Sequence, residues 1–436
     1  MTGRQAAQAI WQAALGAGAV EPLLHRRLHI QGARLFAGDR SWNLDDLDRV
    51  IVLGCGKAGA AMARGLETLL GDRISEGFVV VKDGYTAATS RVRLAEAGHP
   101  IPDARGQAAA GRLLALAESA GQDDLVVFLV SGGGSALTPA PAPGISLEEK
   151  QAMTGLLLEA GATINEVNAV RKHVSRLKGG QLARAASPAP VLALILSDVI
   201  GDPLDVIASG PTAPDPTTFA EALDALARRG VLERVSPSIR SRLEAGRRGE
   251  VAETPKPGDP LFARVSNQIV GNNAIIVDAA AARARALGYE AHVLTRELQG
   301  EARQVAADLV ERGRSLRPPA CLIAGGETTV TVRGRGLGGR CQELALAAAL
   351  AVRPDEALVV LAAGTDGTDG PTQAAGALID GSTVLRGQAA GLDARHALDD
   401  NDSHQYLRAS GDLLVTGPTN TNLLDLYLVL HSVPIR

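Results

Sequence analysis

Five apolar segments of this chain each end in a loop of glycine and polar residues. In the clearest of them, the apolar run 125–130 leads into Ser131-Gly-Gly-Gly-Ser135. The other four apolar runs that end in such loops are 49–54, 191–196, 321–324 and 358–363. Apolar runs that alternate with helical stretches are typical of parallel strands covered by helices on both faces, and such sheets bind ligands beyond the carboxyl ends of their strands. The pattern therefore predicts an α/β fold whose glycine loops form the functional surface.

Length and composition predict a globular protein of two domains. A chain of 436 residues is too long for one ordinary hydrophobic core, and 46% apolar with 21% charged residues is typical of soluble proteins. The formal net charge of -4 argues against a protein that binds nucleic acid as a whole. Cys55, Cys321 and Cys341 show no paired spacing, so we expect neither a disulfide framework nor a zinc knuckle. A reducing cytoplasm suits such a chain best.

An amphipathic N-terminal segment and a linker candidate in the middle of the chain set the expected domain limits. Glutamines interrupt the apolar residues of 4–15, which predicts an amphipathic helix and not a signal peptide, and no apolar run is long enough to span a membrane. The segment 244–260 combines arginines, prolines and glycine and is the best linker candidate. We expect an N-terminal domain over 1–245 and a C-terminal domain over 262–436, on which residues 1–45 could pack. The oligomeric state stays open, a homodimer being one option.

The first glycine loop has the pattern G-x-G-x-x-G between a strand and a helix. Its sequence is Gly54-Cys-Gly56-Lys57-Ala-Gly59. This pattern is the dinucleotide fingerprint, in which backbone N–H groups hold a pyrophosphate, but it calls for an acidic residue about 20 positions further on. The next strand is still apolar there, and Lys82 precedes Asp83. A lysine inside the loop favours a phosphate ligand. A phosphate site, a dinucleotide site and a tight structural turn all stay open.

The second loop and the basic segment after it are candidates for binding anions. The small residues Ser131, Gly132, Gly133, Gly134 and Ser135 let backbone amides approach an anion closely, although a turn chosen for tight packing explains them as well. In the segment 165–184, helical spacing puts Arg171 and Lys178 on one face with Ser175, and Gly179-Gly180 could stop or kink the helix. A solvated basic face is the alternative.

Carboxylates after two of the strands are candidates for holding Mg²⁺. Asp198 follows the run 191–196 after one serine, and it could also act as a base or form an Asx turn. Asp366 and Asp369 follow the run 358–363, and the missing downstream glutamate excludes an EF-hand. After Glu327, the alternation Thr-Val-Thr-Val predicts a strand over 329–332. Arg340 then lies near a predicted helix N-terminus, where a guanidinium can bind a carboxylate or a phosphoryl group, unless it belongs to a charged surface turn.

Taken together, these loops resemble those of the class II glycerate kinases, the glycerate 2-kinase family whose C-terminal domain is named MOFRL. The resemblance covers nearly the whole chain. The segments that carry it are 54–59, 131–136, 168–180, 197–202, 208–217, 325–343 and 364–376. It implies two lobes, each a mostly parallel sheet flanked by helices, with the active site in the cleft between them.

The resemblance also implies an activity: phosphorylation of D-glycerate at its 2-hydroxyl to 2-phosphoglycerate, with ATP and Mg²⁺. It implies catalytic roles for Lys57 and Arg340. Two positions depart from the family pattern, since Cys341 stands where Asn is usual and Gln373 where Asp is usual. These departures bear on substrate choice more than on the reaction class.

Phosphoryl transfer depends mainly on positioning and charge neutralisation. We expect Arg340 to bind the substrate carboxylate or the phosphoryl group, Lys57 to neutralise developing charge, and Asp198 to hold Mg²⁺ or orient the hydroxyl. The remaining residues expected to bind substrate, nucleotide or metal are Gly54, Gly56, Ser131, Gly132, Gly133, Gly134, Ser135, Arg171, Lys178, Glu327, Asp366 and Asp369. The rival hypotheses are an NAD(P)H-dependent hydroxypyruvate reductase and a non-catalytic sensor of a sugar phosphate.

Overall fold

The structure, a computed structural model, describes residues 1–433. The chain forms two compact units: the N-terminal unit is Val20–Val270, and the C-terminal unit combines Met1–Ala19 with the chain from Gly271 onward. The chain therefore starts in one unit, builds the other and returns. Among the described residues, no helix combines the length and the apolar character needed to cross a membrane.

Helix α1 (Gly3–Ala17) opens the chain, as the interrupted apolar pattern predicted. Thr2 and Gln5 form a capping box at its start. The buried side chains Ile10 and Trp11 lie on the face that packs within the C-terminal unit, and Arg4 forms an ion pair of 2.7 Å with Asp380 of the same unit. The first helix thus contributes to a core that the chain completes more than 250 residues later.

The N-terminal unit is built around a six-stranded sheet in the order β6-β5-β4-β7-β8-β9. Its helices and strands, in chain order, are α2 (Val20–Arg27), β1 (Leu28–Gln31), β2 (Arg34–Ala37), β3 (Arg40–Asn43), β4 (Arg49–Cys55), α3 (Gly59–Leu70), β5 (Glu76–Lys82), β6 (Val92–Ala97), α4 (Ala104–Glu118), β7 (Asp124–Val130), α5 (Gly134–Leu137), α6 (Leu147–Glu159), α7 (Ile164–His173), α8 (Gln181–Ala186), β8 (Val191–Leu196), α9 (Phe219–Arg228), α10 (Pro237–Arg247) and β9 (Val265–Gly271). Single 3₁₀ turns lie at Leu44–Asp46, Gly71–Arg73, Ile207–Ser209 and Pro260–Arg264.

Five neighbouring strands of this sheet, β6 to β8, run parallel, as predicted. Leu113 of α4 and Leu182 of α8 pack with Phe128 on one face of the sheet. Gly59, the first residue of α3, packs against Val79, whose side chain points to the other face. Every residue of β7 is buried because helices cover both faces of the sheet.

The C-terminal unit contains a second six-stranded sheet in the order β10-β11-β15-β12-β13-β14. Its elements after α1 are α11 (Asn273–Ala286), β10 (Glu290–Leu298), α12 (Ala302–Ser315), β11 (Ala320–Gly326), α13 (Arg340–Ala351), β12 (Leu358–Gly364), β13 (Gly376–Asp380), α14 (Thr383–Ala389), α15 (Ala394–Asp399), α16 (Ser403–Ser410), β14 (Leu413–Leu414) and β15 (Asp425–His431).

Strand direction in this second sheet differs from the predicted one. Only β10 and β11 are parallel, whereas β15 lies antiparallel between β11 and β12, and β13 and β14 are antiparallel as well. The α/β class is confirmed, but the expected mostly parallel sheet is found only in the N-terminal unit. A strand buried on both faces has a continuous apolar sequence whichever way it runs, so the sequence pattern does not carry its direction.

Two segments differ from their predicted conformation. The alternating residues 329–332 form no strand, and Thr329 makes only an isolated bridge with Glu301. Part of the linker candidate 244–260 is packed inside the N-terminal unit, where Glu253 hydrogen-bonds His173 and Thr254 donates to Asp215. The predicted domains 1–245 and 262–436 and the cleft between two lobes stay predictions.

Candidate active site

The first two glycine loops of the N-terminal unit are interlocked. The Lys57 N–H donates to the Gly132 carbonyl (2.8 Å), and the Ala58 N–H donates to the Ser131 hydroxyl (3.0 Å). Gly56 has φ 131°, and a Cβ there would collide with the Ser131 side chain. The first two glycines therefore serve close packing, since a Cβ on Gly54 would also lie 2.7 Å from Leu129.

This interlocking uses the amides that a dinucleotide fingerprint would offer to a pyrophosphate. The N–H groups of Gly56 and Gly59 bond the carbonyls of Val80 and Gly56, and those of Lys57 and Ala58 bond the second loop. The first loop also carries the half-buried Lys57 side chain, whose stem passes 3.5 Å from the place of a Cβ on Gly133. The geometry favours the phosphate interpretation of this loop over the dinucleotide one.

A buried lysine, Lys178, anchors the second loop. Lys178 Nζ donates to the Ser135 carbonyl (2.7 Å), and the Ser135 hydroxyl lies 2.9 Å from Ser209, which in turn bonds Asn168. Burial, together with the positive charges of Arg171 and Lys150, holds the pKa of Lys178 well below its ordinary value. Lys178 therefore positions the Ser131–Ser135 loop rather than facing solvent.

The predicted helical face of Arg171, Ser175 and Lys178 is wrong, because α7 ends at His173. The Ser175 hydroxyl accepts the N–H groups of Leu177 and Lys178, and this local turn competes with the helix. The structure nevertheless brings the two basic groups near each other, since Arg171 lowers the pKa of Lys178 electrostatically.

A cavity of about 670 Å³ opens beside the second loop, inside the N-terminal unit. Gly133, Ser135 and Arg171 line it together with Lys150 of α6. Lys150 is only 6% exposed, and neither its Nζ nor the Nε of Arg171 has a hydrogen-bond partner. Asp198, which is half-buried and lies two residues past the end of β8, belongs to the same unit.

In the C-terminal unit, Arg340 is fixed by a carboxylate that the sequence analysis did not single out. Its Nε and Nη2 donate to the two carboxylate oxygens of Asp425 at 2.6 and 2.9 Å, and Nη1 lies 2.8 Å from Glu327. Burial lowers the pKa of Arg340, but the charge and hydrogen bonds of Asp425 outweigh it and raise that pKa. The guanidinium is thus permanently charged and held in one orientation at the first residue of α13.

The antiparallel insertion of β15 explains how Asp425 reaches this position. Asp425 is the first residue of β15 and pairs with Gly326, the last residue of β11, and with Gly364, the last residue of β12. The start of an antiparallel strand therefore lies at the same sheet edge as the ends of its neighbours. An aspartate before the apolar run 426–430 was the available sequence signal, but its value depends on the direction of that strand.

Asp369 holds the start of α13, and its role as a metal ligand stays a prediction. Its carboxylate accepts the N–H groups of Cys341 (3.2 Å) and Gln342 (2.8 Å) at the start of α13, and the Gln342 side-chain amide as well. Burial raises its pKa to about 6, with a contribution from the charge of Asp425. Asp369 therefore holds the N-terminus of the helix that carries Arg340.

The fit of Mg²⁺ depends on the remaining carboxylates. Within residues 1–433, no group of three or more His, Cys, Asp and Glu side chains is arranged to hold a metal ion. Mg²⁺ keeps several waters and needs only one or two protein carboxylates. Asp366, after β12, accepts the Thr368 N–H and is 8% exposed, and Asp198 is half-buried. Both offer the hard oxygen ligands that this ion requires.

Known proteins resemble this chain along most of its length. Residues 6–244 match the family model described as a domain of unknown function, DUF4147, and residues 320–425 match the MOFRL family model. The D-glycerate 2-kinase of Thermotoga maritima is 44% identical, over 88% of this chain and 91% of its own, and the glycerate 2-kinase of Pyrococcus horikoshii is 43% identical, over 88% and 87%. This chain belongs to the class II glycerate kinase family. The solved glycerate kinase structure from T. maritima covers 98% of it and 99% of that chain, with a TM-score of 0.84 and 39% identity.

Family membership confirms the resemblance derived from the glycine loops. Of the two departures from the glycerate kinase pattern, Cys341 is fully buried, and its thiol pKa is raised by burial and by the charges of Asp425 and Asp369. Gln373 is exposed. The Cys341 side chain thus belongs to the packing around Asp425, and the roles of the predicted site residues stay predictions.

Proposed function

We propose that this chain is a kinase that transfers the γ-phosphoryl group of ATP to the 2-hydroxyl of glycerate and forms 2-phosphoglycerate. The observation that carries the proposal is the half-buried guanidinium of Arg340, paired with the buried Asp425 and fixed at the N-terminus of α13. A guanidinium held in this way is suited to a planar or tetrahedral oxyanion. The relatives named as glycerate 2-kinases supply the choice of glycerate as the acceptor.

The proposed mechanism uses two cations, Arg340 and Lys57. Three of the five N–H bonds of Arg340 are directed at Asp425 and Glu327, which leaves two for the glycerate carboxylate or the phosphoryl group in transfer. The Lys57 ammonium neutralises charge that develops on the phosphate oxygens. Because Asp425 is engaged before the substrate arrives, Arg340 needs no reorganisation when the reaction begins.

Proton transfer and metal binding fall to the two remaining carboxylates. Asp198 accepts the proton of the glycerate hydroxyl or orients it for in-line attack. Asp198 and Asp366 are the residues that would hold Mg²⁺, which when bound neutralises charge on the polyphosphate. Asp369 takes no part in metal binding in this proposal because the start of α13 occupies its carboxylate.

The test measures ADP release with glycerate and a panel of small hydroxy acids. ³¹P and ¹³C NMR of the product then identify the phosphorylated carbon, which should be C2. The reductase hypothesis is tested with the same protein, hydroxypyruvate and NADH without ATP. Oxidation of NADH at a rate comparable to kinase turnover would contradict the proposal. So would the absence of ADP release with every hydroxy acid of the panel. Tight binding of sugar phosphates without turnover would favour the sensor.

A further inference from the structure

The cavity beside the Ser131–Ser135 loop contains positive charge that the protein itself does not neutralise. Lys150 and Arg171 line it, and Lys178 lies behind the loop. Within residues 1–433, none of these three side chains forms a salt bridge with a carboxylate, although the protein as a whole is acidic. Buried charges without partners cost free energy, and a bound anion is the usual compensation.

The two cations at the cavity have hydrogen-bond donors to offer. Neither the Lys150 ammonium nor Arg171 Nε bonds to a protein acceptor, and Lys150 is more than nine-tenths buried. Burial, helped by the charge of Arg171, lowers the pKa of Lys150 to about 7. A bound anion would reverse that shift by favouring the charged ammonium.

Apolar side chains form much of the remaining cavity wall, beside the polar His99, Gln151 and Thr154, and the cavity is too large for a three-carbon acid. Its volume of about 670 Å³ lies within the range of roughly 300–1,000 Å³ that is usual for pockets of larger ligands. Ile101 and Leu158 line it and remain 71% and 62% exposed, so the cavity wall includes large apolar side chains that are open to solvent. A planar base is the part of an anionic substrate that would cover such a wall.

We propose that this cavity binds a nucleoside triphosphate, with its phosphates at Lys150 and Arg171 and its base between Ile101 and Leu158. The choice of ligand rests on the proposed kinase activity. Gly133 lines the cavity and is also the residue beside which the Lys57 stem passes. The terminal phosphate would therefore face the lysine that the mechanism assigns to it, and Lys178 would position the loop between them.

Calorimetry on the full chain tests the proposal with three probes: a non-hydrolysable ATP analogue, inorganic tripolyphosphate and adenosine. Lys150→Met and Arg171→Met should each lower the affinity for the analogue and for tripolyphosphate by about tenfold or more, because each removes charged hydrogen bonds. Neither should change adenosine binding or the KM for glycerate. Leu158→Ala should lower the affinity for adenosine and for the analogue but not for tripolyphosphate.

Arg176→Met is the matched control, since Arg176 is exposed, pairs with Glu118 and does not line the cavity. Lys150→Met keeps the volume of the stem and removes an unpartnered charge, so the melting temperature should not fall. If it does fall, Lys150→Gln provides the same comparison.

Three outcomes separate this inference from the proposed function. Unchanged affinity for the analogue in both charge variants would overturn the nucleotide site. If the variants raised the KM for glycerate and left nucleotide affinity unchanged, the cavity would be assigned to the hydroxy acid, and the nucleotide site would be overturned as well. Loss of nucleotide binding in the variants, with no phosphorylation of any hydroxy acid by the parent protein, would support the site and contradict the kinase.

Discussion

At the scale of single residues, the pairing of Arg340 with Asp425 links stability to the proposed chemistry. Asp425 is fully buried and makes hydrogen bonds to Arg340 and to the Tyr427 hydroxyl. Removing one partner of a buried ion pair leaves an uncompensated charge, which typically costs about 3–5 kcal/mol. Substitutions at Arg340 must therefore be judged by turnover and by stability together.

Arg340→Ala should lower kcat by about 10³–10⁵, equivalent to roughly 4–7 kcal/mol, if Arg340 acts on the transferring phosphoryl group. Arg340→Lys retains the charge but loses the two-pronged contact with Asp425, so we expect an intermediate loss. Steady-state kinetics and thermal melting of both variants provide the measurement.

Arg314→Lys is the control for this pair, because Arg314 also makes a two-pronged contact, with Glu356, in the same unit. It should lower stability without a comparable loss of turnover. An Arg340→Ala enzyme that kept most of its turnover would remove Arg340 from the mechanism.

Asp369 gives a pH dependence with a definite sign. Its pKa is raised from 3.8 to about 6 by burial, so the folded state binds its proton more tightly than the unfolded state does. This contribution to stability is present at low pH and is lost as the pH rises through 6. From pH 8 to pH 5, Asp369 should add about 1 kcal/mol to the free energy of unfolding.

Urea unfolding of the parent protein and of Asp369→Asn at both pH values tests this sign. The free energy of unfolding of the parent protein minus that of Asp369→Asn should increase by that amount at the lower pH. An equal difference at both pH values would show that Asp369 does not titrate in this range.

At the scale of elements, the two glycine loops of the N-terminal unit form one interlocked structure. Gly56 combines a positive φ with a side-chain position that Ser131 already occupies. The glycines of this G-x-G-x-x-G pattern are thus explained by packing between loops. The pattern was found in the sequence, but its meaning depended on which N–H groups stayed available.

Gly56→Ala should destabilise the protein by about 2–6 kcal/mol, which combines backbone strain with a steric overlap. Gly71→Ala is the control: Gly71 has φ 52° but open space around its Cβ position, so it should show only the strain. In a Ser131→Ala background, Gly56→Ala should cost less because the Oγ is gone. Chemical denaturation of four variants, Gly56→Ala, Gly71→Ala, Ser131→Ala and the double mutant, checks this order, and a purely additive double mutant would contradict the contact between Gly56 and the Ser131 side chain.

At the scale of the whole molecule, the path of the chain makes its first helix part of the C-terminal unit. Trp11 on α1 is 2% exposed, and Gly18 lies against Ile276 of α11. Sequence periodicity predicted the helix and its apolar face. The expectation that residues 1–45 could pack on the C-terminal domain did not name the elements that cover this face, which lie more than 250 residues further along the chain.

Trp11→Ala should cost about 3–5 kcal/mol and raise hydrogen exchange in α11 and β12 more than in β4 and β7. Trp11→Phe keeps most of the apolar area and removes an indole N–H that has no hydrogen-bond partner, so it should cost much less. Ile164→Ala, at a side chain that is 57% exposed, should have little effect. Uniform exchange changes across both units would contradict this assignment of α1.

The sequence alone determined the α/β class, the positions of most strands and glycine loops, and the family. These follow from apolar periodicity and from local motifs, which depend on neighbouring residues. Tertiary structure alone decided the direction of β15, and with it the placement of Asp425 beside Arg340. It also decided that the N–H groups of Lys57 and Ala58 form hydrogen bonds to the second loop, and that Lys150 and Arg171 line the same cavity. These are contacts between residues far apart in the chain, and periodicity carries no information about which distant segments meet.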